Sequence, residues 1–422
     1  MNLTPLQNAL NERFPNATQH QQQALDALLA GGFPDRTVER WKYTRATPYV
    51  DFALRAFAEA ETPSSNDTRI QQNLEQWQIA FKAVYALVII DGKLDPNHSK
   101  VPAGVTLTDA TTAPHSFNAT PDDAMALLND ALPTTRIDLT IAAGTRVETP
   151  LHIVHLADAS RVLSQVRITL NAEQDSELVI AEHVLAATGE EHMHSSVVTA
   201  HLDHAARLHW YRLQNTNADA LIATRIDATL DEHAALHALT LDIGGALVRN
   251  DLNVRLNAPG AHVTMNGVYL TDGKQHVDNH TQVNHVARDT TSSEDYRGVL
   301  REHSRGVFNG KVYVHEGADG TDAAQSNKNL LLSDHAEIDT KPELEIYADD
   351  VKCAHGATVG QLDDASVFYL RSRGIDHDTA TQLLTFAFCR ELIKDIADPT
   401  LREAAQTMIA DEIPNFTAMD IE

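Results

Sequence analysis

Through the middle of the chain, apolar and polar residues alternate in short runs, each ending in a Leu before a turn opened by Asn or Asp. The pattern appears as ITLNAEQDSELVI at 168–180, AHLDHAARLHWY at 200–211, ATLDEHAALHAL at 228–239 and VRLNAPGAHVTM at 254–265. Alternation with period two predicts strands that bury one face. The residues before the turns are Leu170, Leu202, Leu230 and Leu256, at steps of 32, 28 and 26, with weaker members at Ile141 and Val283. A step of about 30 residues, built of strands with no helical pattern between them, predicts a solenoid. Each unit buries little alone, but stacking coil on coil pairs every strand and makes a continuous apolar interior. A closed sandwich would not by itself return a turn motif at nearly constant intervals. The expected fold is therefore mainly β: a right-handed parallel β-helix over residues 96–365.

The flanks have a different period. Leu6, Ala9 and Leu10, then Ala24, Leu25, Leu28 and Leu29, recur at helical spacing, with Gly31-Gly32 as the stop and Pro34 beyond. Residues 61–72 read as a polar linker, and Val84–Leu94 as a buried strand running into a turn at Asp91-Gly92. Residues 1–95 are thus expected to form an amino-terminal helical domain with one short strand. In 376–412, Ala380, Leu383, Leu384, Ala387, Phe388, Leu392, Ile393 and Ile396 fall near one helical face, and Pro399 sits one turn into a second helix. A carboxy-terminal helical domain is expected over 366–422. The open ends of a solenoid leave strand edges that invite pairing with a partner.

Composition narrows the function classes. Thirty-three basic against 59 acidic residues give a formal net charge of −26. This disfavours nucleic acid and anionic membrane as partners, because binding them relies on Lys and Arg neutralising phosphates. The longest apolar run, Ala83–Ile90, is far shorter than the roughly 20 residues of a membrane helix. The amino terminus shows no basic start followed by an apolar stretch, and only two cysteines, Cys353 and Cys389, are present. The expectation is a cytoplasmic protein without a disulfide framework.

Several groups have side chains suited to chemistry. His192 and His194 would share a strand face, and His201/His204 and His276/His280 form similar pairs, but no further ligands are in register with them. They read as solvent-facing histidines at β-turns. Asp349-Asp350 and Asp363-Asp364 offer at most one carboxylate each to a common site, since adjacent strand residues face opposite ways. Gly244-Gly245 is a turn with no phosphate-binding helix after it. HExxH, Walker A and GxSxG signatures are absent. Cys353 and His355 stand two apart, so on a strand they face one side with α-carbons about 6.6 Å apart. Both donors suit iron, but a cluster wants four ligands and this strand offers two. Cys389 lies in an apolar helical pattern and reads as a small buried residue.

The segment DTKPELEIYADDVKCAHGATVG, continuing as QLDDASVFYLRSRGI to Ile375, closely resembles the carboxy-terminal signature of the SufB/SufD family. NKNLLLSD (327–334), RGVFNGKV (305–312) and IGGALVRND (243–251) add to the likeness, and ERWKYT (39–44) resembles the SufD branch of the family rather than SufB. The resemblance implies a non-catalytic subunit of a SufB–SufC–SufD complex in iron–sulfur cluster assembly. There the two β-helices pair, each carboxy-terminal helical domain binds one copy of the ATPase SufC, and ATP-driven closure of SufC moves the β-helix interface. It also implies that the histidine of the KC-x-HGAT motif, here His355, faces a SufB cysteine, with Cys353 matching the nearby family cysteine. Two donors on one strand make sense if a partner chain supplies the rest. Imidazole is largely neutral near physiological pH, whereas a free thiol with a pKa of about 8.5 needs help to ionise. His355 is therefore the stronger iron-ligand candidate and Cys353 the supporting one. SufC binding is expected in the region starting at 369–375, with Arg371, Arg373 and the turn at Gly374; pairing of both arginines with Asp363 and Asp364 is the alternative. Iron or a cluster would be bound only transiently at the SufB interface, with no cofactor held tightly by the isolated chain, and in the absence of SufB the same edge would permit a homodimer. The rival readings are a SufB-type scaffold, which carries more cysteines, and a β-helical carbohydrate-active enzyme, which needs charged groups converging in a groove and aromatics to stack sugars.

Overall fold

The computed structural model describes residues 3–14, 17–58, 67–110, 123–159, 161–187, 189 and 191–416. Four helices come first: α1 (Thr4–Arg13), α2 (Gln19–Gly31), α3 (Thr47–Ala58) and α4 (Asp67–Phe81). Then follow β1 (Tyr85–Ile90), β2 (Lys93–Lys100), β3 (Val105–Asp109) and α5 (Ala124–Ala131). Sixteen strands run on from there: β4 (Thr135–Ile141), β5 (Leu151–Ala157), β6 (Leu163–Ala172), β7 (Glu177–Ala186), β8 (Met193–Leu202), β9 (Arg207–Asn215), β10 (Leu221–Leu230), β11 (Ala235–Ile243), β12 (Leu247–Leu256), β13 (His262–Thr271), β14 (His276–His285), β15 (Thr291–Leu300), β16 (Arg305–Val314), β17 (Asp322–Leu331), β18 (Glu337–Ile346) and β19 (Lys352–Gly360). Helices α6 (Asp364–Ser372), α7 (His377–Ile393) and α8 (Pro399–Glu412) close the chain.

From β4 onward the chain alternates between two sheets, one strand in each per coil. The ten-stranded sheet runs β19-β17-β15-β13-β11-β9-β7-β5-β1-β2 and the nine-stranded sheet β18-β16-β14-β12-β10-β8-β6-β4-β3. All pairings between successive coils are parallel, giving a β-solenoid of about eight turns. The boundary expected at residue 95 falls inside the antiparallel β1–β2 hairpin, and β1 itself pairs in parallel with β5, so this strand belongs to the solenoid.

Register shows what drives the stacking. Ile141, Ala172, Leu202, Leu230, Leu256, His285, Val314 and Ile346 lie opposite one another in the nine-stranded sheet. Leu170 and Val283, which the turn pattern had placed in this column, stand two residues before it. A slip of two keeps side-chain parity, so both still point inward with no exposure. The loops vary in length, and a step counted along the sequence cannot distinguish a longer turn from a shifted strand.

The flanking helices cover the outer faces of the solenoid. Leu6, Leu25, Leu28, Tyr49 and Phe52 pack with α5 over Leu163, Met193, Leu221 and Leu247 of the nine-stranded sheet. Phe386, Cys389, Ile393 and Leu401 pack over Tyr211, Leu239, Leu241 and Val268 of the ten-stranded sheet. Residues 67–72, expected as linker, form the first turns of α4, where Ile70, Leu74 and Trp77 bury against Val88 and Val154; 61–66 lie outside the described residues. Ala387 is exposed, against the expected apolar face, and Pro399 is the first residue of α8 rather than one turn inside it. At that position its missing N–H costs nothing. No helix of the described residues is long and apolar enough to cross a membrane.

Candidate functional site

The last coil is built unlike the others. β18 and β19 end their respective sheets, so each has one paired and one open edge among the described residues. Strands β4 to β17 bury their inward positions almost completely, but β18 is half-buried along most of its length and β19 is exposed at all but one position. Ile346, the end of the Leu column, is 40% exposed and is followed by Tyr347 at 59%; Val359, near the end of β19, is 48% exposed. A row of free backbone donors and acceptors next to apolar side chains is a template for another chain.

Cys353 and His355 lie on that final strand. Cys353 is in register with Ala323 and His355 with Gln325, both buried and inward-facing. The two donors therefore share the inward face, as their spacing predicts, but no further coil covers them. His355 is exposed, while Cys353 is half-buried against Val312, Val314 and Ala323. Partial burial raises the Cys353 thiol pKa above its ordinary value. That disfavours its thiolate form in the isolated chain. Cys389 is fully buried between α7 and the sheet, and burial pushes its thiol up to about 12.

Beyond β19, α6 buries none of its residues. Asp363 caps it by accepting from the backbone N–H groups of Ala365 and Ser366. Phe368 and Tyr369 are 73% and 55% exposed. Arg373 stacks on the Tyr369 ring at 4.9 Å and donates to its hydroxyl at 3.0 Å. Asp363 is occupied by the cap and Arg373 by Tyr369. Gly374 follows with φ +91, the left-handed conformation that turns the chain into α7. The exposed aromatics were not singled out in the sequence, where Phe368 and Tyr369 look like ordinary core residues of a helix.

Two features explain the sequence motifs. ERWKYT docks on the outer face of the nine-stranded sheet: Trp41 is buried under the Arg249 guanidinium at 4.1 Å, and Arg40 pairs with Asp251 at 2.7 Å. Glu39 reaches Lys341 of β18 at 2.6 Å, tying the amino-terminal segment to the terminal coil. The histidine pairs divide. His201 and His204 are exposed near turns, as expected, but His192 and His194 are buried at 2% and 3%, and His280 is buried beside Asp278. The acidic doublets stay at the surface: Asp349 and Asp350 in a bend, Asp363 as a helix cap. Gly244 and Gly245 have φ +79 and +81, and a Cβ on Gly244 would sit 1.9 Å from the Thr216 carbonyl oxygen.

The interior also holds polar groups that alternation alone did not reveal. Glu182, Arg212, Asp242 and Glu294 all occupy buried inward positions. Arg212 pairs with Asp242 at 2.8 Å. Glu294 accepts from Thr281 at 2.7 Å and from Gln325 at 3.1 Å, and Gln325 is the residue in register with His355.

The sequence also matches known proteins. Residues 155–388, from β5 through most of α7, match the family profile described as SUF system FeS cluster assembly, SufBD core domain. The chain is 29% identical to the iron-sulfur cluster assembly protein SufD of Escherichia coli over 96% of its own length and 94% of that protein. It is 26% identical to a SufBD family protein of Synechocystis over 89% of this chain and 86% of that one. With a SufBD family protein of Mycobacterium leprae it shares 31% identity over 65% of this chain and 71% of the other. The chain therefore belongs to the SufB/SufD family of iron–sulfur cluster assembly proteins.

Proposed function

We propose that this chain is the SufD-type accessory subunit of a cytoplasmic cluster-assembly complex, non-catalytic itself, pairing with a SufB-type partner and binding a SufC-type ATPase. The observation behind it is the uncovered terminal coil, in which open strand edges, exposed Tyr347 and Val359, and inward-facing Cys353 and His355 share one end of the solenoid. A partner β-helix docked there would continue both sheets and cover the lumen. It would also bring its own donors to His355, whose companion on this strand is Cys353. Iron or the nascent cluster is then the cargo of the joint, held transiently, with His355 the primary donor and Cys353 secondary because burial disfavours its thiolate. Exposed α6, with Phe368, Tyr369, Arg371 and Arg373 ahead of the turn at Gly374, is the surface assigned to the ATPase. Aromatic and arginine side chains are the usual anchors of such interfaces.

Size-exclusion chromatography with light scattering on this chain mixed with the SufB- and SufC-type proteins of the same source tests the reading. The expected peak contains one copy each of this chain and the SufB-type protein with two of the ATPase. Elution alone as a monomer or as a homodimer closed through the same edge, indifferent to both proteins, would overturn it.

A further inference from the structure

The paired histidines at 192 and 194 lacked further ligands when read along the chain; the fold supplies them from other coils. His194 on β8, His155 on β5 and Glu182 on β7 converge inside the solenoid, each with one ligand atom within 4.8 Å of the others. All three are buried, at 3%, 3% and 1% exposure. His155 Nε2 lies 3.1 Å from Glu182 Oε1, and the two imidazole rings are 4.4 Å apart between centroids. The surroundings orient the donors. Trp210 Nε1 donates to the second Glu182 oxygen at 3.0 Å, and the Ser164 hydroxyl lies 3.4 Å from His194 Nδ1. With its proton on Nδ1 toward Ser164, His194 presents a bare lone pair on Nε2, and that nitrogen is buried with no hydrogen-bond partner. Such an atom is costly in a dry interior.

We infer that His155, Glu182 and His194 form a binding site for one divalent first-row transition-metal ion inside the solenoid. Two imidazole nitrogens and one carboxylate suit zinc or iron(II). Bonds of about 2.0–2.2 Å to a tetrahedral ion separate ligand atoms by about 3.3 Å, close to the His155–Glu182 distance found here; His194 has to close by a rotamer adjustment. Metal binding moves the His155 proton to Nδ1, freeing Nε2, and Trp210 and Ser164 act as outer-shell partners that fix the carboxylate and the imidazole. Three protein ligands leave a fourth coordination position open. Charge favours the ion as well. Asp242 already balances Arg212. This site is remote in the stack from Cys353 and His355, and it departs from the expectation that the isolated chain holds no tight metal.

Because the site is buried, the ion is expected to enter during folding and to resist chelators afterwards. The test is to refold the full chain from denaturant with cobalt(II), pass it through EDTA, and measure bound metal by mass spectrometry and visible absorption. The expected result is one equivalent with the ligand-field bands of a four- or five-coordinate site, lost in Glu182→Gln and in His194→Gln. His355→Ala should keep it. So should His201→Ala, which breaks the exposed His201/Asp203/Asp231 group, the other set of suitable donors among the described residues. If the two interior variants do not fold, the wild-type stoichiometry and spectrum decide. A folded wild-type chain without metal, which would make the group an imidazolium–carboxylate pair, overturns the inference. So does a full equivalent retained in both interior variants.

Discussion

Glu294 makes the polar interior measurable. Its carboxylate is 2% exposed, and burial pushes its pKa up to about 7 even though Thr281 and Gln325 donate to one oxygen. The other oxygen, Oε1, is buried without a partner. In the unfolded chain the group titrates near 4.5. Between those values the folded state keeps a proton that the unfolded state has lost, so stability falls as pH rises. At about 1.4 kcal/mol per unit, the loss accumulates to about 3 kcal/mol and is complete by about pH 8. Glu294→Gln keeps the shape and an oxygen to accept from Thr281, but has no charge to bury. Urea unfolding followed by circular dichroism at pH 5, 6, 7 and 8 compares the two proteins, and all other titrating groups cancel in the difference. The variant should gain on the wild type by about 2.5 kcal/mol across that range, the first part of the loss lying below pH 5. A difference that stays flat with pH would show that Glu294 is ionised in the folded protein throughout, and that the dry polar interior is misread.

Three further outcomes follow from the stack and its open end. Leu230→Ala, in the middle of the inward column and fully buried, should cost about 2–5 kcal/mol in a denaturant titration. Gly310→Ala should cost about 1–3 kcal/mol, because a Cβ there would lie 2.1 Å from Gln325 Nε2; Gly356→Ala on β19 meets nothing within 4 Å and should leave the midpoint of the isolated chain nearly unchanged. His355→Ala should likewise leave thermal unfolding of the isolated chain unaltered while abolishing cluster formation by the reconstituted complex, read by the visible absorption of the cluster. Unchanged cluster formation would remove His355 from the site.

The stacking of β-coils was legible because inward residues such as Leu202, Leu230 and Leu256 bury at fixed parity, and parity survives variation in turn length. The same parity put Cys353 and His355 on one face. What the sequence hid is whatever depends on neighbours in other coils. His194 looked solvent-facing because its companions, His155 and Glu182, are distant along the chain and adjacent only across the stack. Glu182 and Arg212 sit at inward positions that alternation alone assigns to apolar residues, so a polar interior could not be told from a surface face. The opposite ambiguity concealed α6: Phe368 and Tyr369 suit a packed helix, and only the fold shows that nothing among the described residues covers them. Helix limits were lost where capping decides them, as at Pro399, which Asp398 places at the start of α8 by accepting from the Leu401 N–H.

Backbone amide exchange along the terminal coil tests the proposed joint most directly. The isolated chain should exchange readily at the open edges of 337–346 and 352–360, and mixing with the SufB-type partner should protect both segments while earlier coils, already paired on both sides, change little. A stable complex that leaves exchange at β18 and β19 unaltered would contradict the assignment of the open coil, with His355 at its centre, as the joint between the two subunits.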